Sequence, residues 1–257
     1  MRRRSSGSVV LRNAGVLARL RELKGEHPFW GYRHCWAHLR YVDRLDVNKK
    51  RVYRLLKEHR LLATQTKHEV PRVSSRSKPK PDRPNQWWGI DMTKVMTESG
   101  WAYLVLVLDW YTKQVVGYHC GPRAMSGDWL TALDRGLNHQ FPDGVRHHGL
   151  HLMSDHGSQP TSEKFMKACS LLGIHQAFTS YNNPKGNADT ERMMRTIKEE
   201  LIWLREWRDP YELSATVGGW IERYNESYLH SALGYRTPNQ MAETYNLTTR
   251  TLLEKAC

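Results

Sequence analysis

The sequence is short of cysteine, of long apolar runs and of acidic charge. Its four cysteines (Cys35, Cys120, Cys169, Cys257) lie far apart and form no C-x-x-C pair. That argues against a disulfide framework and a cysteine-based zinc site, and suits a reducing compartment. The longest apolar run, Tyr103–Leu108, is far too short for a membrane span. The basic start Met1-Arg-Arg-Arg4 is not followed by the hydrophobic stretch of a secretory signal. These absences lead us to expect a soluble, intracellular protein. There is no internal repeat, no low-complexity tract and no long leucine-zipper heptad run. Against 26 Asp and Glu stand 39 Lys and Arg, a formal net charge of +13. The positive residues recur in the first four positions and in 49–60, 67–83 and 185–208, so a long polyanion, DNA first, is the partner expected.

Within 257 residues there is room for a catalytic core with smaller appendages. Val16, Leu20 and Leu23 fall on one helical face, and Cys35, Leu39 and Val42 repeat that spacing in a second helix. Asn48 is placed to cap a third helix with Val52, Leu55 and Leu56 inward and Lys49, Lys50, Arg51 and Arg54 outward. Residues 1–63 thus read as a small helical, helix-turn-helix-like DNA-binding module, with a solvated basic face on a structural bundle as the plainer alternative. Residues 64–84, rich in Pro, Lys and Arg, read as a basic linker. Beyond it, Gln86–Val95, Trp101–Asp109 and Gln114–Cys120 are β-rich and so tightly joined that they must run antiparallel. A helix from Ser126, a strand Leu150–Ser154, a helix Ser162–Leu172, a strand Ile174–Phe178 and a long helix Asn187–Trp207 complete a core over 85–209. The fold class is α/β, a mixed sheet flanked by helices. Residues 210–257 form a helical extension: Tyr211–Asn225, then a capping box at Thr237-Pro-Asn-Gln240 opening a short helix through Tyr245.

Three carboxylates stand out. Asp91 lies mid-strand among apolar neighbours, where a charge is costly to bury unless paired or metal-bound. Asp155 ends an apolar strand and precedes the turn His156-Gly-Ser158, and strand carboxyl ends are where such sheets bind ligands. Glu191 sits at the start of the long helix. Each alone has an ordinary explanation: an ion pair, a turn cap, a favourable helix terminus. Together, with 35 residues between the last two and the first in the opening strand, they resemble the Asp, Asp, 35, Glu signature of transposases and retroviral integrases with a ribonuclease-H-like core. Ser154-Asp-His-Gly-Ser-Gln159, Pro184-Lys-Gly-Asn-Ala188 with Glu191-Arg192, Lys198-Glu-Glu-Leu201, and Tyr224-Asn-Glu with His230-Ser-Ala-Leu-Gly-Tyr-Arg-Thr-Pro238 extend the likeness. They resemble the second-frame product of insertion-sequence transposases encoded in two overlapping reading frames. Gly31-Tyr-Arg33, Val47-Asn48 and Arg51–Leu56 are similar to the helical module that precedes that core. The departures are Pro160, where the family often has an aromatic residue, and His156, where it commonly has Arg.

The resemblance implies a DDE transposase, a polynucleotidyl transferase that cleaves DNA 3′ ends and transfers them to target DNA. It implies Asp91, Asp155 and Glu191 as catalytic residues and as ligands of two Mg²⁺ ions, with Mn²⁺ as a substitute. Asp91 bridges, Asp155 serves one ion and Glu191 the other. Two hard cations about 4 Å apart clamp the attacking and leaving oxygens of a phosphodiester in line. On the Glu191 helix, Arg195 lies about 40° and Lys198 about 20° round from the carboxylate, so Lys198 is expected at DNA phosphate. Lys185, Asn187, Arg192 and Arg195 are expected along the backbone and Tyr181 on a displaced base. The partners implied are double-stranded element ends and target, a homodimer or higher oligomer on DNA, and a first-frame DNA-binding segment or fusion. A nuclease on the same core and a non-catalytic DNA-binding regulator remain open, and Asp109, ending the second strand, rivals Asp91. His34 and His38 have ligand-like spacing but no paired cysteines follow, so zinc is not expected there. His156 is the one histidine worth testing.

Overall fold

The computed structural model describes residues 7–63, 79–179 and 186–256, so most of the basic linker, with Tyr181 and Lys185, lies outside the described residues. The chain divides into two compact units, Met1–Arg72 and Val73–Cys257. No helix of the described residues is long and apolar enough to cross a membrane.

The first unit holds α1 (Gly7–Glu26), α2 (Tyr32–Ala37) and α3 (Lys49–Glu58). Leu20 and Leu23 of α1, Cys35 and Leu39, and Val52, Leu55 and Leu56 of α3 meet in one small core. Asn48 caps α3 as expected, its side chain accepting from Lys50 N–H at 2.8 Å. The second helix departs from expectation. After Ala37 it widens into a π turn over His38–Val42. The wider turn breaks the 3.6-residue register, so Leu39 stays buried while Val42 is 52% exposed.

The second unit is a five-stranded sheet in the order β3-β2-β1-β4-β5. Its strands are β1 (Trp87–Thr97), β2 (Gly100–Asp109), β3 (Val115–Gly121), β4 (His151–Ser154) and β5 (His175–Phe178). The first three are antiparallel, as their short connections require. β4 and β5 are added parallel to β1, through crossovers that carry α4 (Ser126–Gln140) and α5 (Glu163–Leu171). α6 (Ala188–Glu200), α7 (Pro210–Ser227) and α8 (Pro238–Ala256) follow. This is the mixed, helix-flanked sheet of the ribonuclease-H-like class.

β2 is buried on both faces, which is why Tyr103–Leu108 reads as a continuous apolar run. Leu104, Leu106 and Leu108 pack with Met193, Ile197, Val217 and Trp220 of α6 and α7. Val105 and Val107 pack on the other side with Trp129, Leu133 and Phe165 of α4 and α5. Asp91 pairs with Leu106 across the β1–β2 ladder, so it lies on the α6 and α7 face.

Two helix ends differ from the sequence expectation. α6 stops at Glu200 because Leu201 leaves helical geometry (φ −138°, ψ −60°). A 3₁₀ turn over Ile202–Leu204 follows, and Trp207 turns back to donate its indole N–H to Ile202 O at 3.0 Å. The continuing apolar spacing concealed that reversal. α8 runs on past Tyr245 to Ala256, and along it the hydroxyls of Thr244, Thr248 and Thr251 each donate to the carbonyl four residues back, at 2.7, 2.8 and 2.9 Å. Residues that ordinarily compete with a helix are thereby accommodated in it.

α4 crosses β3 where neither has a side chain in the way. A β-carbon on Gly117 would collide with Ala132 O and come within 2.8 Å of Gly136 N. Gly117→Ala is therefore expected to cost about 1–3 kcal/mol through overpacking, read as a fall of several degrees in Tm; an unchanged Tm would show that the two elements are not locked together here.

Candidate active site

The carboxylate end of the sheet is built around Gly89. A β-carbon at that position would clash with Thr190 Oγ1 and lie 2.5 Å from Trp110 Nε1 and 2.7 Å from Asn187 Oδ1. Because β1 has no side chain there, the first turn of α6 settles directly on the strand. Trp110 Nε1 donates to Thr190 Oγ1 at 3.0 Å, and Asn187 Nδ2 reaches Ile90 O at 3.5 Å. Glu191, the next residue of α6, is thus carried toward Asp91, two residues along β1 from the notch.

Asp91 is mostly buried, and its Oδ1 accepts the N–H of Met92 at 2.7 Å. Its pKa is pushed up to about 6, chiefly by burial, and further by the negative charges of Asp155 and Glu191. The Met92 N–H and the Lys198 ammonium act in the opposite sense. Asp155 follows β4 directly, is exposed, and accepts from Gly157 N–H at 3.0 Å within the predicted turn. The adjacent His156 ring stacks on Phe178 at 5.0 Å. Glu191 is exposed at the start of α6, and partial burial raises its pKa. The three acids are electrostatically coupled, all-oxygen donors of the kind hard divalent cations prefer. Among the described residues no three His, Cys, Asp or Glu side chains stand close enough together to hold a metal ion, so the acids are near one another without forming a closed cage.

The rival Asp109 has another occupation. It is 1% exposed and accepts from the backbone N–H of Asn85, Tyr111 and Thr112 at 2.6, 2.9 and 2.7 Å and from the Thr112 hydroxyl at 3.0 Å. Its carboxylate organises the turn after β2. Of the expected DNA contacts on α6, Arg192 and Arg195 are exposed and Lys198 is half-buried beside the acids. Arg195 is also paired with Glu199 at 2.7 Å. Asn187, by contrast, is 3% exposed and lies beneath the helix, with its side chain against β1. Tyr181 and Lys185 fall outside the described residues. In the helical unit, Lys50 and Arg54 are exposed. Lys49 instead lies over the Trp36 ring at 4.1 Å, and Arg51 donates to Asn13 Oδ1 and Arg12 O at 2.9 and 2.7 Å. His34 and His38 pack around Trp30. Sequence reasoning overlooked Gly89, Trp110 and Thr190, together with Lys113 and Asp189, which form an ion pair at 2.8 Å beside Glu191. The only local signal was the glycine two residues before Asp91.

The integrase core domain family matches residues 81–184 and again 172–238, and an HTH-like domain matches residues 11–69. Fold, coupled acids and these matches define a polynucleotidyl transferase with an integrase core. The chain is 27% identical over 237 residues to the transposase InsD of insertion element IS2A/D/F/H/I/K from Escherichia coli, covering 88% of this chain and 77% of that one. It belongs to the DDE transposases of the insertion-sequence type. Among solved structures, the simian T-cell lymphotropic virus intasome, in complex with PP2A regulatory subunit B56 gamma, is 17% identical with a TM-score of 0.48, covering 87% of this chain and 74% of that one. The HTLV-2 integrase catalytic core domain in complex with magnesium is 15% identical with a TM-score of 0.45, covering 63% and 99%.

The raised pKa of Asp91 makes a signed prediction about stability. Between the ordinary value of 3.8 and about 6, the unfolded chain releases this proton while the folded chain keeps it. Stability therefore falls as pH rises through that window, and the full cost is present above it. In metal-free buffer at neutral pH, Asp91→Asn is expected to stabilise the protein by about 3 kcal/mol, and the gain should vanish near pH 4. A variant less stable than wild type at neutral pH would contradict the assignment of a strained, buried charge.

Proposed function

We propose that this chain cleaves DNA at the 3′ ends of its element and joins the freed 3′-OH to target DNA, with Asp91, Asp155 and Glu191 as the catalytic carboxylates. The observation that carries this is the coupling of the three acids at one end of the sheet, with Asp91 buried at a raised pKa. A charge kept at such a cost is well explained by a cationic partner that neutralises it. Asp91 would bridge two Mg²⁺ or Mn²⁺ ions, with Asp155 and Glu191 holding one each. When bound, the ions would supply charge neutralisation at the scissile phosphate and stabilisation of the attacking and leaving oxygens.

The residues of the chain do the rest. Lys198 offers an ammonium beside the acids, suited to a phosphate next to the scissile one. Arg192 and Arg195, exposed on the same helix, suit the backbone further along. In the helical unit Lys50 and Arg54 are, among the described residues, free of the intramolecular contacts that occupy Lys49 and Arg51, and they are the proposed phosphate contacts. Joining two element ends calls for two such sites, hence at least a dimer on double-stranded DNA. A first-frame segment, acting as partner or fusion, would contribute to end recognition, and the work would be done in the cytoplasm at the nucleoid.

The deciding test is a joining assay on oligonucleotides that carry the element's terminal repeats. Mg²⁺- or Mn²⁺-dependent joining is expected from the wild type, with losses of at least about 100-fold in Asp91→Asn and Glu191→Gln. The same ions should raise the Tm of the wild type and not that of Asp91→Asn. Cutting without joining would leave a nuclease, and DNA binding without either activity a regulator. In the helical unit, Lys50→Ala and Arg54→Ala should each weaken DNA binding and reduce the slope of affinity against salt by about 1. Arg51→Ala should act mainly on stability; an equal loss of salt slope there would place the DNA face elsewhere.

A further inference from the structure

The motif Tyr224-Asn-Glu with His230 is distant in sequence from all three acids. The Tyr224 and Asn225 side chains nevertheless converge on the turn between β2 and β3 and the first residue of β3. The Tyr224 hydroxyl donates to Lys113 O at 2.9 Å and lies 2.9 Å from His230 Nε2. Asn225 closes on Val115, accepting from its N–H and donating to its carbonyl, both at 3.0 Å. From this clamped turn the Lys113 ammonium donates to Asp189 Oδ2 at 2.8 Å and to Trp110 O at 2.6 Å. Asp189 belongs to the first turn of α6, two residues before Glu191.

A second observation sets Lys113 apart. Its φ is +63°, a left-handed conformation that glycine adopts without strain and a lysine does not. The turn would be easier to form with glycine, but glycine carries no ammonium. Lys113 and Asp189 are largely shielded, at 16% and 26% side-chain exposure, so their attraction is less screened than that of a surface pair.

We infer that Lys113 and Asp189 are positioning residues for Glu191, and that Tyr224 and Asn225 of α7 hold the turn from which Lys113 acts. The ion pair and the Trp110–Thr190 hydrogen bond fix two successive residues of α6, one to the β2–β3 turn and one over Gly89. Glu191 then leaves the helix in a set direction toward Asp91. The inference rests on the proposed catalytic role of Glu191.

Lys113→Gly tests it, because that substitution relieves the backbone while removing the ammonium. In the joining assay it should lower the rate at saturating DNA by about 10- to 100-fold, the size of effect expected when a reacting group is misplaced. Half-saturating DNA should stay within about twofold, with Tm within a few degrees of wild type. Lys113→Arg should recover most of the rate. Hydrogen exchange of the full chain should show the Glu191–Met193 amides opening about tenfold faster in Lys113→Gly, with the β2 amides unchanged. Wild-type joining by Lys113→Gly overturns the inference, as does a loss that follows Tm and is not rescued by Arg. If the wild type itself neither cuts nor joins, the transposition reading fails, and exchange alone decides whether the pair pins the helix: unchanged exchange overturns it.

Discussion

At Gly89 the backbone of β1 is approached by Thr190, Asn187 and the Trp110 indole more closely than any β-carbon would permit, and this contact sets where α6 lies. A helix that settles into a glycine notch comes nearer to the strand than one resting on ordinary side chains. The consequence falls on Glu191, because its neighbours Thr190 and Asp189 are the residues held. Met193, Met194 and Ile197 then continue the same helix into the core under β2. The position of one acid is thus fixed by packing along the whole length of α6, and its direction by two polar contacts at the start.

Asp91 and Asp109, three positions apart in the β1–β2 ladder, where Asp109 pairs with Trp88 and Asp91 with Leu106, show how burial alone fails to identify a reactive carboxylate. Both are raised in pKa by burial. Asp109 accepts four hydrogen bonds from a turn that it organises. Among the described residues Asp91 accepts one, from the residue next to it, and it feels the charge of two further acids. A fully satisfied carboxylate is part of the fold; an under-satisfied one among like charges is kept for something that binds there.

Much of the fold was legible because the strands alternate or run apolar in ways that only a two-sided sheet explains. The caps at Asn48 and Thr237 are local chemistry, so they too could be read directly. What escaped depends on contacts between distant residues. Nothing local announces that Leu201 breaks the helix, since Ile202, Trp203 and Leu204 keep an apolar spacing. A π turn leaves no mark in composition, so Val42 was misplaced. Asn187 looked like a DNA contact because its neighbours are polar and basic. Its burial follows from a glycine 98 residues earlier in the chain, and spacing cannot foresee that.

The C-terminal helices acquire a double role from this geometry. β3 is an edge strand, and an edge exposes backbone groups that invite pairing with other chains. Asn225 satisfies both polar groups of Val115 at that edge, while Leu213, Val217, Trp220 and Ile221 of α7 join the core beneath β2. Gln114 is further tied to Asn239 of α8 at 2.9 Å. The helices that close the sheet edge therefore also immobilise the β2–β3 turn, and through Lys113 that turn reaches the first turn of α6. Closing an edge and aiming a carboxylate are distinct tasks, and here one set of side chains serves both: any change in α7 that opens the edge must also loosen the hold on Asp189.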